Sequence, residues 1–102
     1  MGIKKQYLKT RPICKVTFRL SKEEANDAKQ VFLVGEFNQW NEVDTPMKAI
    51  KKGGFTLTIE LETGKKYRFR YFFDRFYWGN DPEADGYEFC SFGNCDNGIL
   101  SL

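Results

Sequence analysis

Apolar and polar residues alternate with a period of two along three stretches of the chain. They are CKVTFRL at 14–20, FTLTIEL at 55–61 and YRFRYFF at 67–73. This period sends successive side chains to opposite faces, which is typical of a half-buried β-strand. The apolar run VFLV at 31–34 indicates a central strand, while MKAI at 47–50 and GILSL at 98–102 are weaker candidates. The pattern therefore predicts several short strands.

Segments rich in turn-forming residues separate these predicted strands. They include NQWNEVDTP, KKGG, ETGKK and NDPEADG. Ser21 and Glu24 fit a capping box, which is enough for one helical turn. Short strands without a long helical period predict an all-β fold, an antiparallel β-sandwich. We assign residues 12–102 to this domain and expect the polar, basic residues 1–11 to form a flexible N-terminal arm.

The composition favours a binding surface and argues against several kinds of partner. The 102 residues suit one small domain, and ten Phe, five Tyr and two Trp exceed what one small core readily holds. Some rings should therefore lie at the surface, where a flat ring serves as a contact plate. A net charge of +2 is too balanced to indicate nucleic acid or a membrane. Since no apolar run follows the N-terminal charges, we expect a cytoplasmic protein.

Catalytic and metal chemistry finds little support in the sequence. The chain has no histidine, so the commonest general base and the commonest zinc ligand are both missing. Four residues separate Cys90 from Cys95, which is too wide for a zinc knuckle, and we expect reduced thiols in preference to a disulfide. The carboxylates within 74–85 invite a glycosidase interpretation, but a solvated turn explains them better. We predict no catalytic residue, no metal, no cofactor and no enzymatic activity.

Binding has better candidates, namely Trp40, Arg70, Tyr77, Trp78 and Asn97. Arg70 lies on the outward face of its predicted strand. Tyr77 and Trp78 alternate across the next short strand, so one of them should share that face. Flat rings take the C–H face of a pyranose, while guanidinium and amide groups bond its hydroxyls. Each residue alone also has a purely structural explanation: a folded-back ring, a solubilising charge or a turn cap.

The stretch VGEFNQW, residues 34–40, ends a strand and then places a tryptophan in a loop. Tryptophan is a costly apolar side chain to leave in water, so it is either folded under or held out for a partner. We expect the turn at 35–38 to hold Trp40 at the surface with its indole face as the contact. Phe37 is the better candidate for a ring folded underneath.

Four segments, taken in order, resemble carbohydrate-binding module family 48. They are VFLVGEFNQW, YRFRYFFD, NDP and FGNCDN. The resemblance covers about residues 14–102, nearly the whole chain. It implies an immunoglobulin-like antiparallel β-sandwich that binds α-1,4-glucans such as glycogen or starch.

The resemblance also implies roles for particular residues. Trp40 corresponds to one stacking tryptophan, and Arg70 occupies a position where the family has lysine. The late asparagine of the family falls at residue 96 or at Asn97. Because DRFYW replaces the usual Asp-Gly turn, the second stacking ring is either Trp78 or Tyr77.

Two functional hypotheses follow. The first is a non-catalytic module that binds an α-1,4-glucan polysaccharide or oligosaccharide, with a glucan-metabolising enzyme as a further candidate partner. The alternative is a protein-interaction or self-association domain that has kept the fold without binding sugar. The oligomeric state and the preferred glucan length and branching are left open by the sequence.

Overall fold

Nine β-strands form two antiparallel sheets in the computed structural model, which describes residues 2–90 and 95–102. The strands are β1 Gly2–Tyr7, β2 Ile13–Leu20, β3 Val31–Gly35, β4 Lys48–Ala49, β5 Phe55–Glu62, β6 Lys66–Phe73, β7 Tyr77–Gly79, β8 Gly86–Cys90 and β9 Cys95–Ser101. The first sheet has the order β1-β2-β5-β4 and the second β3-β6-β9-β8, with β7 paired to β6. The predicted all-β antiparallel sandwich is confirmed.

The core lies between the sheets and is filled by the inward side chains of the alternating strands. In the first sheet, Val16 pairs with Ile59 and Phe18 with Leu57, so the apolar positions of β2 and β5 share one face. The second sheet contributes the inward side chains of β6. The largest fully buried residues include Tyr71, Phe18, Phe69, Leu33 and Leu100.

Strand β6 is the centre of the second sheet and organises the candidate site. β3 pairs with its residues 69–73, β9 with 66–69 and β7 with 71–73. Because β3 already occupies one edge of β6 along these residues, β9 and β7 follow each other along its opposite edge. Side chains of three separate strands are therefore brought beside the outward residues of β6.

The expectation of a flexible arm is wrong for Gly2–Tyr7, which forms the edge strand β1. Its backbone pairs with β2 from Gly2 opposite Arg19 to Tyr7 opposite Cys14. The mostly polar side chains of this segment led to the expectation of a flexible arm. An edge strand can form with few apolar side chains, because the hydrogen bonds between its backbone and the neighbouring strand hold it in place. Lys5 also bonds Asp85 across the sandwich at 2.7 Å.

Two local features of the connecting segments bear on the sequence analysis. The capping box is confirmed, since the Ser21 amide donates to Glu24 Oε1 at 2.8 Å and the Glu24 amide to Ser21 Oγ at 3.1 Å. The cysteine expectation falls on the side chains of Cys90 and Cys95, which lie outside what the structure describes.

Candidate functional site

The turn after β3 explains how the chain presents Trp40. Glu36–Asn38 forms one turn of 3₁₀-helix, and the Asn38 side chain accepts the Gly35 amide at 3.1 Å. The same side chain donates to the Leu33 carbonyl and the Thr45 hydroxyl at 3.0 and 2.9 Å. The Trp40 amide then donates to the Gly35 carbonyl at 2.8 Å. These bonds close the turn and determine where the indole emerges.

Phe37 and Trp40, the two aromatic residues of this turn, pack against different apolar clusters. Phe37 packs against the main core, with its ring 6.5 Å from that of Phe18 and 6.3 Å from that of Tyr67. Trp40 instead packs on the outer face of the second sheet and stays partly exposed. The prediction that Phe37 is the ring folded underneath is confirmed.

A small apolar patch covers the outer face of the second sheet, on the side away from the main core. Phe32, Val34 and Phe72 are buried there, with Trp40 packed against them. Phe72 pairs directly with Trp78 of β7, and their rings stack with centroids 4.3 Å apart and planes 22° apart. Trp78 itself is 36% exposed. The patch therefore packs against both tryptophans while leaving part of each indole accessible.

Arg70 connects the two tryptophans electrostatically. Its guanidinium carbon lies 5.6 Å from the Trp40 ring centroid and 4.8 Å from that of Trp78. A cation over the face of an indole contributes about 0.5–2 kcal/mol, depending on how far it is desolvated. We call Trp40, Arg70 and Trp78 the aromatic platform, because the three side chains form one partly exposed surface.

Asn97 lies beside the platform. It is one residue beyond the pair Phe69–Gly98, so β9 carries it alongside Arg70 on the same face. The side chain is 7% exposed, and among the described residues its Oδ1 atom has no hydrogen-bond partner. The structure therefore brings four of the five predicted site residues together.

Tyr77 is the predicted site residue that does not join them. It pairs with Phe73 and therefore faces the inner side of the sheet, where the two rings stack with centroids 5.0 Å apart. Adjacent residues of a strand point to opposite faces, so Tyr77 and Trp78 cannot both reach the platform. Of the two candidates for a second stacking ring, only Trp78 lies on the platform.

The acidic residues near β7 and β8 have structural contacts. Asp81 is fully buried and accepts the Tyr71 hydroxyl at 2.6 Å and the Glu83 amide at 2.7 Å. Burial, together with the neighbouring Asp81 carboxylate, raises the pKa of the Tyr71 phenol well above its usual value. Asp81 thus anchors the turn between β7 and β8 instead of facing a second carboxylate across a cleft.

The sequence analysis missed a charged group on the same face. Arg68 is two residues from Arg70 along β6, and its side chain bonds Glu88 of β8 and Glu36 of the 3₁₀ turn. The alternation of YRFRYFF predicts that both arginines face outward, so the sequence did contain a signal that Arg68 shares a face with Arg70. No sequence pattern indicated that Glu88 and Glu36 lie near Arg68, because they are 20 and 32 residues away from it in the chain.

The described part of the chain contains neither a cluster of side chains that could hold a metal ion nor a helix that could span a membrane. No group of three or more metal-ligating side chains occurs within residues 2–90 and 95–102. Nor does this part contain a helix long and apolar enough to span a bilayer.

The two antiparallel sheets define an all-β sandwich with an immunoglobulin-like fold. The family model for carbohydrate-binding module 48 (isoamylase N-terminal domain) matches residues 14–89, well over half of the chain. The protein therefore belongs to the carbohydrate-binding module 48 family. The match contains all three platform residues and ends before Asn97. The comparison with curated proteins gives no significant match.

Proposed function

We propose that this protein is a non-catalytic module that binds α-glucans of the glycogen or starch type on the aromatic platform. The observation that carries the proposal is the position of Arg70 between Trp40 and Trp78 on one partly exposed sheet face. Membership of a carbohydrate-binding family supports it. The predicted cytoplasmic location and a glucan-metabolising enzyme as partner stay predictions.

The chemistry of the platform suits a pyranose chain. The C–H faces of glucose units would lie on the parts of the indoles that Phe72 and Arg70 leave accessible, and the Arg70 guanidinium would donate to hydroxyl oxygens between them. The Oδ1 atom of Asn97 is buried and has no hydrogen-bond partner among the described residues, so Asn97 would bond a glucan hydroxyl only after its side chain turns outward.

The support beneath the platform bears on affinity. Phe72 stacks under Trp78, and Phe32 and Val34 pack with Trp40, so neither indole needs to be ordered from a freely rotating state. A flexible glucan still loses conformational freedom, and its hydroxyls leave water. We therefore expect weak, enthalpy-driven binding, the signature of interactions dominated by hydrogen bonds.

A titration with maltoheptaose, monitored by calorimetry and by tryptophan fluorescence, tests the proposal. Trp40→Ala and Trp78→Ala should each weaken binding about tenfold or more, by analogy with the roughly 1–3 kcal/mol that an aromatic ring contributes when a nucleic-acid base stacks on it. Phe76→Ala is the matched control, because this ring is 85% exposed but is not one of the platform residues. Absence of binding by the unmodified protein, or equal loss in all three variants, would refute the platform.

The alternative function, protein interaction or self-association, is supported by a different observation. Phe76 and Phe89 are 85% and 63% exposed and are not part of the platform. Aromatic residues are enriched in protein–protein interfaces relative to the rest of the surface. If this function is correct, sedimentation analysis will show a concentration-dependent dimer that Phe76→Ser or Phe89→Ser abolishes, beside a flat glucan titration.

A further inference from the structure

A second polar group lies next to the platform on the outer face of β6. The Arg68 Nε and Nη2 atoms donate to the two carboxylate oxygens of Glu88, both at 3.1 Å. Its Nη1 atom donates to Glu36 Oε2 at 3.2 Å, while its backbone amide donates to Glu36 Oε1 at 2.7 Å. We call these three residues the Arg68 cluster. Its planar groups are held in fixed positions by one another.

The Arg68 cluster retains hydrogen-bonding capacity toward solvent. Its side chains are 43%, 37% and 49% exposed for Arg68, Glu36 and Glu88. A guanidinium has five N–H donors and each carboxylate about four acceptor sites, so the bonds within the cluster leave both kinds of group available. Such neighbouring donors and acceptors match the adjacent hydroxyls of a sugar, each of which can donate and accept.

The surface beside the cluster has the shape of a shallow subsite. A depression of about 60 Å³ is lined by Lys66, Arg68, Glu88 and Ile99. Ile99 is the cross-strand partner of Arg68, so it adds an apolar wall to a polar rim. A volume of this size admits a hydroxymethyl or hydroxyl group of a sugar and not a whole ring.

The depression lies near the platform along the outer face of β6. Arg68 and Arg70 are two residues apart on one face of β6, or about 7 Å along the strand. Asn97, beside Arg70, is the direct cross-strand partner of Glu88. A chain that leaves the platform along β6 in this direction therefore meets the Arg68 cluster.

We propose that the Arg68 cluster is a further sugar subsite, which bonds the hydroxyl groups of a glucose unit adjoining those stacked on the platform. The inference rests on the proposed function, since it extends the same glucan. Its consequence is selectivity for length: a short oligosaccharide occupies the platform alone, whereas a longer one also reaches the cluster.

Calorimetry with maltotriose and maltoheptaose tests this subsite. Arg68→Lys keeps the charge but loses the planar fork, and Glu88→Gln weakens the acceptor. Each should lower the affinity for maltoheptaose about fivefold to tenfold, the effect of losing one ordinary hydrogen bond. The affinity for maltotriose should change less than twofold. Arg19→Lys, an exposed arginine on the first sheet, is the matched control and should change neither.

The remaining outcomes each overturn a particular claim. Equal loss for both sugars would show that Arg68 acts by holding β8 against the sheet, and no loss for either would show that the cluster does not touch the glucan. Thermal unfolding of each variant shows whether it has a folding defect. Glu36→Gln, which changes the second carboxylate that bonds Arg68, then repeats the comparison of maltotriose with maltoheptaose. If the unmodified protein binds neither sugar, the proposed function itself is refuted.

Discussion

At the scale of single residues, Asn38 has more influence on the site than its position suggests. It is buried, and its side chain bonds the Leu33 carbonyl and the Gly35 amide before the turn and the Thr45 hydroxyl after it. Gln39 and Trp40 follow with φ angles of +55° and +57°, a left-handed conformation that is costly for residues other than glycine. Strain of this kind persists only where surrounding bonds hold it, and Asn38 supplies them.

Replacing Asn38 should therefore both destabilise the fold and release Trp40. Asn38→Ala leaves the Leu33 carbonyl and the Gly35 amide without their partners, at a cost of about 1–3 kcal/mol for each buried group. Urea unfolding measures the loss of stability, and near-ultraviolet circular dichroism measures the loss of a fixed indole environment.

Asn41→Ala is the control for this substitution. Asn41 is exposed and its side chain accepts the Val43 amide at 3.0 Å, so its loss should cost less than about 0.5 kcal/mol. Equal stabilities for the two variants would mean that the turn is held by something other than Asn38.

Gly35 shows why the same turn begins with glycine. A Cβ atom there would lie 2.6 Å from the Arg68 carbonyl oxygen and 2.9 Å from the Phe37 ring. The glycine is required for this close approach of β3 to β6, and not for an unusual φ angle, since its φ of −172° is ordinary extended backbone.

At the scale of elements, the hairpin between β6 and β7 decides which aromatic residue reaches the platform. β7 is only three residues long and pairs with β6 alone within the described part of the chain. The turn of this hairpin begins at Asp74, whose side-chain carboxylate accepts hydrogen bonds from the Lys29 and Gln30 amides at 2.8 and 2.9 Å. This carboxylate therefore ties the hairpin to the segment before β3, and Trp78 depends on it for its position.

Asp74→Ala should loosen β7 selectively. The two amides lose their acceptor, and alanine tolerates the φ of +52° at this position less well than aspartate. We expect a loss of about 1–2 kcal/mol in stability, since the amides are exposed and water replaces the acceptor. Hydrogen exchange should accelerate at 77–79, and maltoheptaose affinity should fall.

Asp27→Ala controls for the backbone conformation. Asp27 has a similar φ of +57° and is exposed, and it lies in the segment between β2 and β3, outside the hairpin. It should show the conformational cost without faster exchange in β7. Faster exchange in both variants would assign the effect to general destabilisation.

At the scale of the whole molecule, β1 joins the two sheets. Lys5 Nζ donates to Asp85 Oδ2 at 2.7 Å and to the Ser101 carbonyl at 3.0 Å, and the Ser101 amide donates to the same carboxylate oxygen at 2.7 Å. β1 belongs to the first sheet and Ser101 to the second. The connection therefore closes one open side of the sandwich.

This connection predicts a dependence of stability on pH. Desolvation alone would raise the pKa of Asp85, but the hydrogen bonds from Lys5 and Ser101 and the charge of Lys5 together lower it. A lowered pKa in the folded state means that the stabilisation is complete above the unfolded value of about 3.9 and is lost as the pH falls through the folded value. Asp85→Asn should cost about 0.5–1 kcal/mol at pH 7.

Urea unfolding of both proteins between pH 7 and pH 2.5 measures this effect. The difference between them should stay constant down to about pH 5 and then shrink as the aspartate is protonated. Asp44→Asn, at an exposed position in the loop after Trp40, is the matched control and should show no such trend. A difference that persists undiminished at pH 2.5 would contradict the assigned role of the Asp85 charge.

By itself, the sequence determined the strands that carry an apolar pattern, the face on which their side chains lie and the residue types available for chemistry. Alternation is a local property, so it already placed Arg70 outward and Phe69 and Tyr71 inward. The tertiary structure alone decided that Trp78 and not Tyr77 meets Arg70, that Gly2–Tyr7 is a strand, and that Glu36 and Glu88 converge on Arg68. These outcomes depend on which strands pair and in which register, and that is set by contacts between residues far apart in the chain.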